Sequence, residues 1–328
     1  MQEKEMSLEE FAERLNTWGS QKTPFLFLVD FEMQRPQAFR LDEIDVGQLV
    51  FNINGRTNCD SSEHVSRPLD FVKVPPVLAD YKPMFEHVHS RLAYGDSYLA
   101  NLTIRTQICT ALSLRDLFFL SEAKYKLLFE DRFLVFSPET FVLIRDGKIA
   151  AYPMKGTIDA SVEDARRKIL DDRKERAEHV TIVDLLRNDL SMVADRVSVT
   201  RFRFIDEIRT LDKNLLQVSS EISGDLSPGY EKHFGDILLK LLPAGSVSGA
   251  PKCKTLEIIR EAEGAPRGYY TGVAGIYDGQ TFESAVMIRF IERDGEKLYY
   301  RSGGGITAQS DLEKEYQEAI DKVYVPVG

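Results

Sequence analysis

Four glutamates and one lysine have the types and spacing to do chemistry. Glu175 and Glu178 are three apart in a segment of helical periodicity, and Glu315 and Glu318 repeat that spacing near the C-terminus. Each pair therefore shares one helix face. Two such pairs directed at one point would suit Mg²⁺, a hard cation that takes oxygen ligands and keeps some of its water. Taken singly, each pair also fits a solvated helix surface. Lys155 lies in Tyr152-Pro153-Met154-Lys155-Gly156-Thr157, after the apolar, β-prone stretches 141–144 and 149–152. A strand ending in Lys-Gly can hold an amine at the floor of a cleft, with the glycine admitting another chain or a ligand. Apolar surroundings strip solvation from the ammonium, so the sequence predicts a lowered pKa and a nucleophilic or basic amine. The plain alternative is a lysine that ends a strand in water.

Other residues could serve the same cleft. Glu139 follows Pro138 and precedes a strand, where partial burial would suit it to proton transfer. Arg289 interrupts the apolar run Ala285–Phe290 and needs a partner, either an organic carboxylate bound bidentately or an internal Asp or Glu. Two glycine-bearing loops, 243–251 and 303–310, precede helices, and free N–H groups at such ends bind carboxylate or phosphate oxygens. The first is not a nucleotide-binding P-loop, because Ala250 stands where the second glycine belongs and Lys252 follows a proline. The five histidines fall in no recognisable context, and no Ser-His-Asp or Cys-His set can be argued.

The elements that must position these groups read as follows. Residues 7–18 form a helix capped by Ser7, with strands near 25–31 and 49–53. The first 75 residues read as a β-rich layer packed on a main body of residues 76–328, the whole forming one continuous large domain. In that body, helices are expected at 80–94, 112–120 and 124–129, with a strand at 97–108. The hairpin through Asp146-Gly147 delivers Lys155. A long helical region, 161–195, begins at a Ser161 cap, and Ser310 caps the last helix. Strands are expected at 197–204, 215–222, 271–277, 282–292 and 297–302, with helices at 230–242 and 251–263. Antiparallel-looking groups of strands with helices between them indicate an α+β fold around one cleft.

The chain has 328 residues, 43 % hydrophobic and 29 % charged, with a net charge of −10. That balance argues against nucleic acid or an anionic membrane as partner. Cys59, Cys109 and Cys253 are far apart, the start carries no apolar signal core, and no apolar run is long enough to span a bilayer. A reducing cytoplasm is the expected compartment.

In one order, the chain carries SPETF, YPMKGT, EHVTIVDLLRNDL, LLPAGSVSGAPK, GVAGIYDG, SAVMIRF and SGGGITAQSDLEKEYQEAIDKV. From about Asp80 to Val325 it resembles the chorismate-utilising enzymes, whose members include the component I subunits of anthranilate and aminodeoxychorismate synthases and the isochorismate and salicylate synthases. The resemblance implies two antiparallel β-sheets packed face to face with helices outside and the active site between them. Lysine at position 155 is similar to aminodeoxychorismate synthase component I, where anthranilate synthases are expected to carry Ala. It implies attack of Lys155 on C2 of chorismate, loss of the C4 hydroxyl helped by Glu139, and addition of ammonia at C4. Glu178 and Glu318, supported by Glu175 and Glu315, would hold Mg²⁺ on the ring carboxylate. Arg289, Tyr270, Gly272, Ser246, Thr157 and Gly303, Gly304 and Gly305 match substrate-contacting positions. Gln217 stands where relatives have a histidine, and it cannot carry a proton at neutral pH. Leu99 stands where isochorismate formers have a water-activating lysine. With no glutaminase machinery visible, ammonia would be free or come from a glutamine amidotransferase subunit. The alternatives are anthranilate synthase component I, an isochorismate synthase, or a non-catalytic chorismate-binding protein.

Overall fold

The computed structural model describes residues 6–59, 65, 67–209 and 214–327. Among them the strands form two nine-stranded sheets in which every pairing is antiparallel. The first runs Met154–Asp159, Asn214–Asp225, Lys148–Ala151, Thr140–Arg145, Phe282–Val286, Val273–Tyr277, Phe25–Val29, Gln37–Arg40, with Asp195–Arg209 also on Asn214–Asp225. The second runs Gly249–Ala250, Leu99–Cys109, Lys297–Ile306, Phe290–Asp294, Phe133–Ser137, Tyr125–Phe129, Leu49–Ile53, Arg56–Thr57, with Val72–Val74 on Leu99–Cys109.

Strand Phe25–Val29 shows why the sheets stack. Its five apolar residues are fully buried because both its faces are covered. Phe25, Phe27 and Val29 meet Phe11 and Leu15 of helix Leu8–Ser20 and Phe234 and Leu238 of helix Phe234–Leu241. Leu26 and Leu28 point the other way, into a layer with Leu127, Phe133, Ile276 and Phe290 between the two sheets. Three helices, Leu78–Tyr94, Lys252–Glu263 and Leu312–Asp321, cover the second sheet around Leu102, Ile104 and Ile306. The expected α+β class and stacked sheets are what the fold has.

Several expectations are corrected. Residues 25–57 are not a separate layer: they supply strands to both sheets. Residues 125–129 form a strand rather than a helix, sending Tyr125, Leu127 and Phe129 to the inter-sheet core and Leu128 to the opposite face. The stretch 282–292 is two strands in different sheets, broken at Met287–Arg289 where the backbone crosses over with Arg289 at φ 52°. Region 161–195 is two helices, Ala165–Asp171 and Arg173–Ser191, because Asp172 turns to extended backbone and caps the second. The last helix is capped by Asp311, not Ser310. Gly303, Gly304 and Gly305 lie within strand Lys297–Ile306, paired with Thr103, Leu102 and Asn101, instead of forming a loop. No helix among the described residues is long and apolar enough to cross a membrane.

One buried cation ties the layers near the cleft. Arg267 is 2 % exposed, binds both carboxylate oxygens of Glu263, and donates to the carbonyls of Val247 and Asn101. Arg267→Ala strands Glu263 without its cation. It is expected to lose about 3–5 kcal/mol in urea unfolding; a loss below about 1 kcal/mol would contradict this role.

Candidate active site

Lys155 sits in a β-bulge. Met154 pairs with Ser219 and Thr157 with Gln217, so Lys155 and Gly156 together oppose Val218. Such a bulge bends the strand and re-aims its side chains. Gly156 has φ 82°, and a Cβ there would lie 3.2 Å from Glu175 Oε2, so the glycine is what lets the acidic helix approach. Lys155 Nζ donates to Glu178 Oε2 at 2.7 Å, with the lysine side chain 27 % exposed. Burial pulls the lysine pKa down as expected. The Glu178 ion pair and hydrogen bond, backed by Glu175 and Glu318, outweigh it and raise the pKa above the ordinary 10.5. The expectation of a lowered pKa is therefore corrected: in the protein alone the amine is an ammonium.

Helix Arg173–Ser191 presents Glu175 and Glu178 from its first turns, with the Asp172 carboxylate accepting from Glu175 N at 2.9 Å. His179 docks this helix on strand Asn214–Asp225 through a 2.7 Å hydrogen bond between Nε2 and Ser220 Oγ. Burial, then the Arg203 and Lys155 charges, push its pKa down to about 4, so it is neutral. No role for this histidine is legible in the sequence beyond its adjacency to Glu178.

The second acidic pair comes from helix Leu312–Asp321. Ser310, freed from capping, donates to Glu315 Oε1 at 2.7 Å. Glu318 pairs with Lys322 at 2.6 Å, and Lys322 also donates to Gly303 O at 2.9 Å. A Cβ on Gly304 would lie 3.4 Å from Glu315 Oε2, 3.5 Å from Glu318 Oε1 and 3.7 Å from Lys322 Nζ. A side chain there would meet both carboxylates and the lysine at ordinary contact distances, so these three groups lie over the Gly304 backbone. Lys322 was missed in the sequence, although its place four residues after Glu318 is an ion-pair spacing. Among the described residues, no three His, Cys, Asp or Glu side chains are gathered closely enough to hold a metal ion. The expected convergence on one point is not formed here: Glu178 and Glu318 each hold a lysine.

Glu139 and Arg289 lie where the chain changes sheets. Residues 138–139 join Phe133–Ser137 to Thr140–Arg145, and residues 287–289 join Phe282–Val286 to Phe290–Asp294. The two crossings are bonded to neighbouring strands by Val286 N to Glu139 O at 3.2 Å and Phe136 N to Arg289 O at 3.0 Å. Ser246, in the turn Gly245–Val247, donates its hydroxyl to Glu139 Oε1. Burial pushes the Glu139 carboxyl above its ordinary pKa, against the lowering effects of Ser246, Lys155, Lys322 and Arg289. Arg289 donates to Lys322 O at 2.9 Å and lies 4.8 Å over the Tyr324 ring, while its buried Nε has no partner. Among the described residues no carboxylate pairs with it.

Tyr270 is buried beside Phe290 and Arg301, and burial pushes its hydroxyl pKa up to about 12. Gly272 serves packing instead of offering a free N–H: its N–H bonds Tyr269 O, its carbonyl accepts from Met287 N, and Val29 O fills the space of a side chain. Leu99 joins Ile182 and Leu185 in an apolar wall. The arrangement brings together a lysine held by Glu178, a carboxyl biased toward its neutral form, and the cations Arg289 and Lys322, with Glu175 and Glu318 near enough to act on the lysine.

The sequence pattern of the family described as chorismate binding enzyme matches residues 37–327. An uncharacterized PabA-like protein of Pasteurella multocida is 51 % identical over 324 residues, spanning 98 % of this chain and 100 % of that protein. Anthranilate synthase component 1 of Archaeoglobus fulgidus is 34 % identical over 252 residues, 74 % of this chain and 60 % of that one. Among solved structures, anthranilate synthase component I from Streptococcus pneumoniae superimposes with a TM-score of 0.67 at 28 % identity, covering 80 % of this chain and 60 % of that one. MenF, the menaquinone-specific isochorismate synthase of Escherichia coli, gives 0.74 at 17 % identity over 97 % and 81 % of the two chains, a likeness of fold. Profile, relatives and the stacked sheets around this cleft agree: the chain belongs to the chorismate binding enzymes and is a chorismate-utilising enzyme.

Proposed function

We propose that this enzyme is an aminodeoxychorismate synthase component I, making 4-amino-4-deoxychorismate from chorismate and ammonia for p-aminobenzoate and folate synthesis. The observation that carries the reading is Lys155, set in a bulge beside Glu178, with its charge acting on the buried Glu139 carboxyl. A glutamine amidotransferase subunit would supply the ammonia.

Arg289 and Lys322 are the cations suited to the substrate's carboxylates, with the unpartnered Arg289 Nε as one open donor. The neutral Lys155 amine attacks C2 of the ring. Both ring double bonds shift, C1=C2 to C1=C6 and C5=C6 to C4=C5, the C4–O bond breaks, and the Glu139 carboxyl gives its proton to the departing hydroxyl, which leaves as water. Ammonia then forms a bond at C4, both double bonds return to their places, and the Lys155–C2 bond breaks. One proton from the added ammonia returns to the Glu139 carboxylate, and the enolpyruvyl group is untouched. Glu175, Glu178, Glu315 and Glu318 offer only carboxylate oxygens, the donor type that Mg²⁺ takes. An ion that drew these carboxylates together would have to displace Lys155 from Glu178; it would then neutralise a substrate carboxylate and lower the Lys155 pKa. In the protein alone, Lys155 pairs with Glu178 and Lys322 with Glu318.

Incubation with chorismate, Mg²⁺ and ammonium, followed by product mass, should give aminodeoxychorismate. Anthranilate with pyruvate, or isochorismate, would contradict the proposal. Lys155→Ala should abolish amination while calorimetry still detects Mg²⁺-dependent chorismate binding; unchanged turnover would exclude the covalent route. Glu139 donates its proton, so turnover is expected below its raised pKa and lost as pH rises through it. Glu139→Gln keeps a hydrogen-bonding group but no acidic proton. It should lower kcat about 10²–10⁴-fold and remove that alkaline limb, whereas an unaltered limb would assign it to another group.

A further inference from the structure

Asp189 lies near the C-terminal end of helix Arg173–Ser191, the helix that carries Glu175 and Glu178 at its start. Its side chain is 10 % exposed and pairs with Lys252, at the start of helix Lys252–Glu263, at 2.9 Å. Lys252 Nζ also donates to Leu241 O at 2.8 Å, at the end of helix Phe234–Leu241. The pair thus joins three helices, and the turn Gly245–Val247 lies directly on it. A Cβ on Gly245 would come within 2.7 Å of Asp189 Oδ2 and 3.1 Å of Leu185. The next residue is Ser246, whose hydroxyl reaches Glu139.

We propose that the Asp189–Lys252 ion pair is a positioning device for Glu139, clamping the Ser246 turn to the acidic helix so that the serine hydroxyl reaches the carboxyl. The inference rests on the acid role given to Glu139 above. The chief charges acting on Glu139 are Lys155, Lys322 and Arg289, so the influence of Lys252 travels through the Ser246 turn. Facing Asp189 is the Lys252 ammonium. One helix consequently sets both the counter-ion of the lysine and the environment of the acid.

The test is the pH profile of kcat/KM for chorismate consumption in four proteins beside the wild type: Ser246→Ala, Lys252→Met, Asp189→Leu/Lys252→Met, and Lys252→Met/Ser246→Ala. Loss of the serine donor leaves the carboxylate less stabilised. The alkaline limb should therefore rise by about one pH unit in Ser246→Ala. Both clamp variants should shift it in the same direction, and adding Ser246→Ala to Lys252→Met should move it no further than Ser246→Ala alone. The Asp189→Leu/Lys252→Met protein replaces a buried ion pair with apolar groups and should stay folded even where Lys252→Met does not. A folded Asp189→Leu/Lys252→Met enzyme with the wild-type limb, beside a shifted Ser246→Ala, overturns the clamp alone. An unshifted limb in Ser246→Ala overturns the acid reading of Glu139 and the clamp with it.

Discussion

The ion pair between Lys155 and Glu178 is the constraint on which the cleft is built. Two charges that are only 27 % and 15 % exposed meet at 2.7 Å, and neither is easily left alone there. The contact fixes how closely helix Arg173–Ser191 approaches the strand, beside Gly156, whose φ of 82° is what favours glycine there. It also sets the charge of the lysine. Desolvation favours a neutral amine, but three nearby glutamates favour the ammonium and prevail. The lysine is therefore stored protonated, and its proposed nucleophilic use depends on taking its carboxylate partners away.

Around that pair the fold solves a charge problem. The chain carries a net −10, and the two carboxylates of the proposed substrate must approach Lys155 beside Glu178, Glu175 and Glu318. Arg289 and Lys322 supply local positive charge. Both are tied to the segment after helix Leu312–Asp321, since Arg289 donates to the Lys322 carbonyl and stacks on Tyr324. Glu139 and Arg289 occupy crossings between sheets, where regular pairing stops and side chains can face the space between layers. Residues from distant parts of the chain meet because strands leave one sheet for the other at neighbouring points.

Much of this was legible in the sequence. Lys155 before a glycine, Glu139 after a proline, and glutamates at helical spacing are local signals, and the structure sets Glu178, Glu175 and Glu318 within electrostatic reach of Lys155, and Lys155 within reach of Glu139. The lysine's charge state was not legible, because Glu178 is 23 residues away and its approach is a tertiary event. Lys322 and His179 were hidden for the same reason: an amphipathic helix shows which residues share a face but not what that face meets. Sheet switching was invisible, since strand 282–292 reads as one apolar run until Arg289 adopts a positive φ. The glycines at 303–305 read as a loop, but their neighbours make them a strand thin enough for a helix to lie against.

The central claim is that the glutamate cluster governs whether Lys155 is an ammonium or an amine. An NMR titration of the enzyme with ¹³Cε-labelled lysine, assigned through Lys155→Ala, measures this directly. The account predicts a Lys155 pKa above 10.5 in the metal-free protein and a clear fall when Mg²⁺ is saturating. A neutral Lys155 at pH 7 without Mg²⁺, or a titration that Mg²⁺ leaves in place, would contradict it.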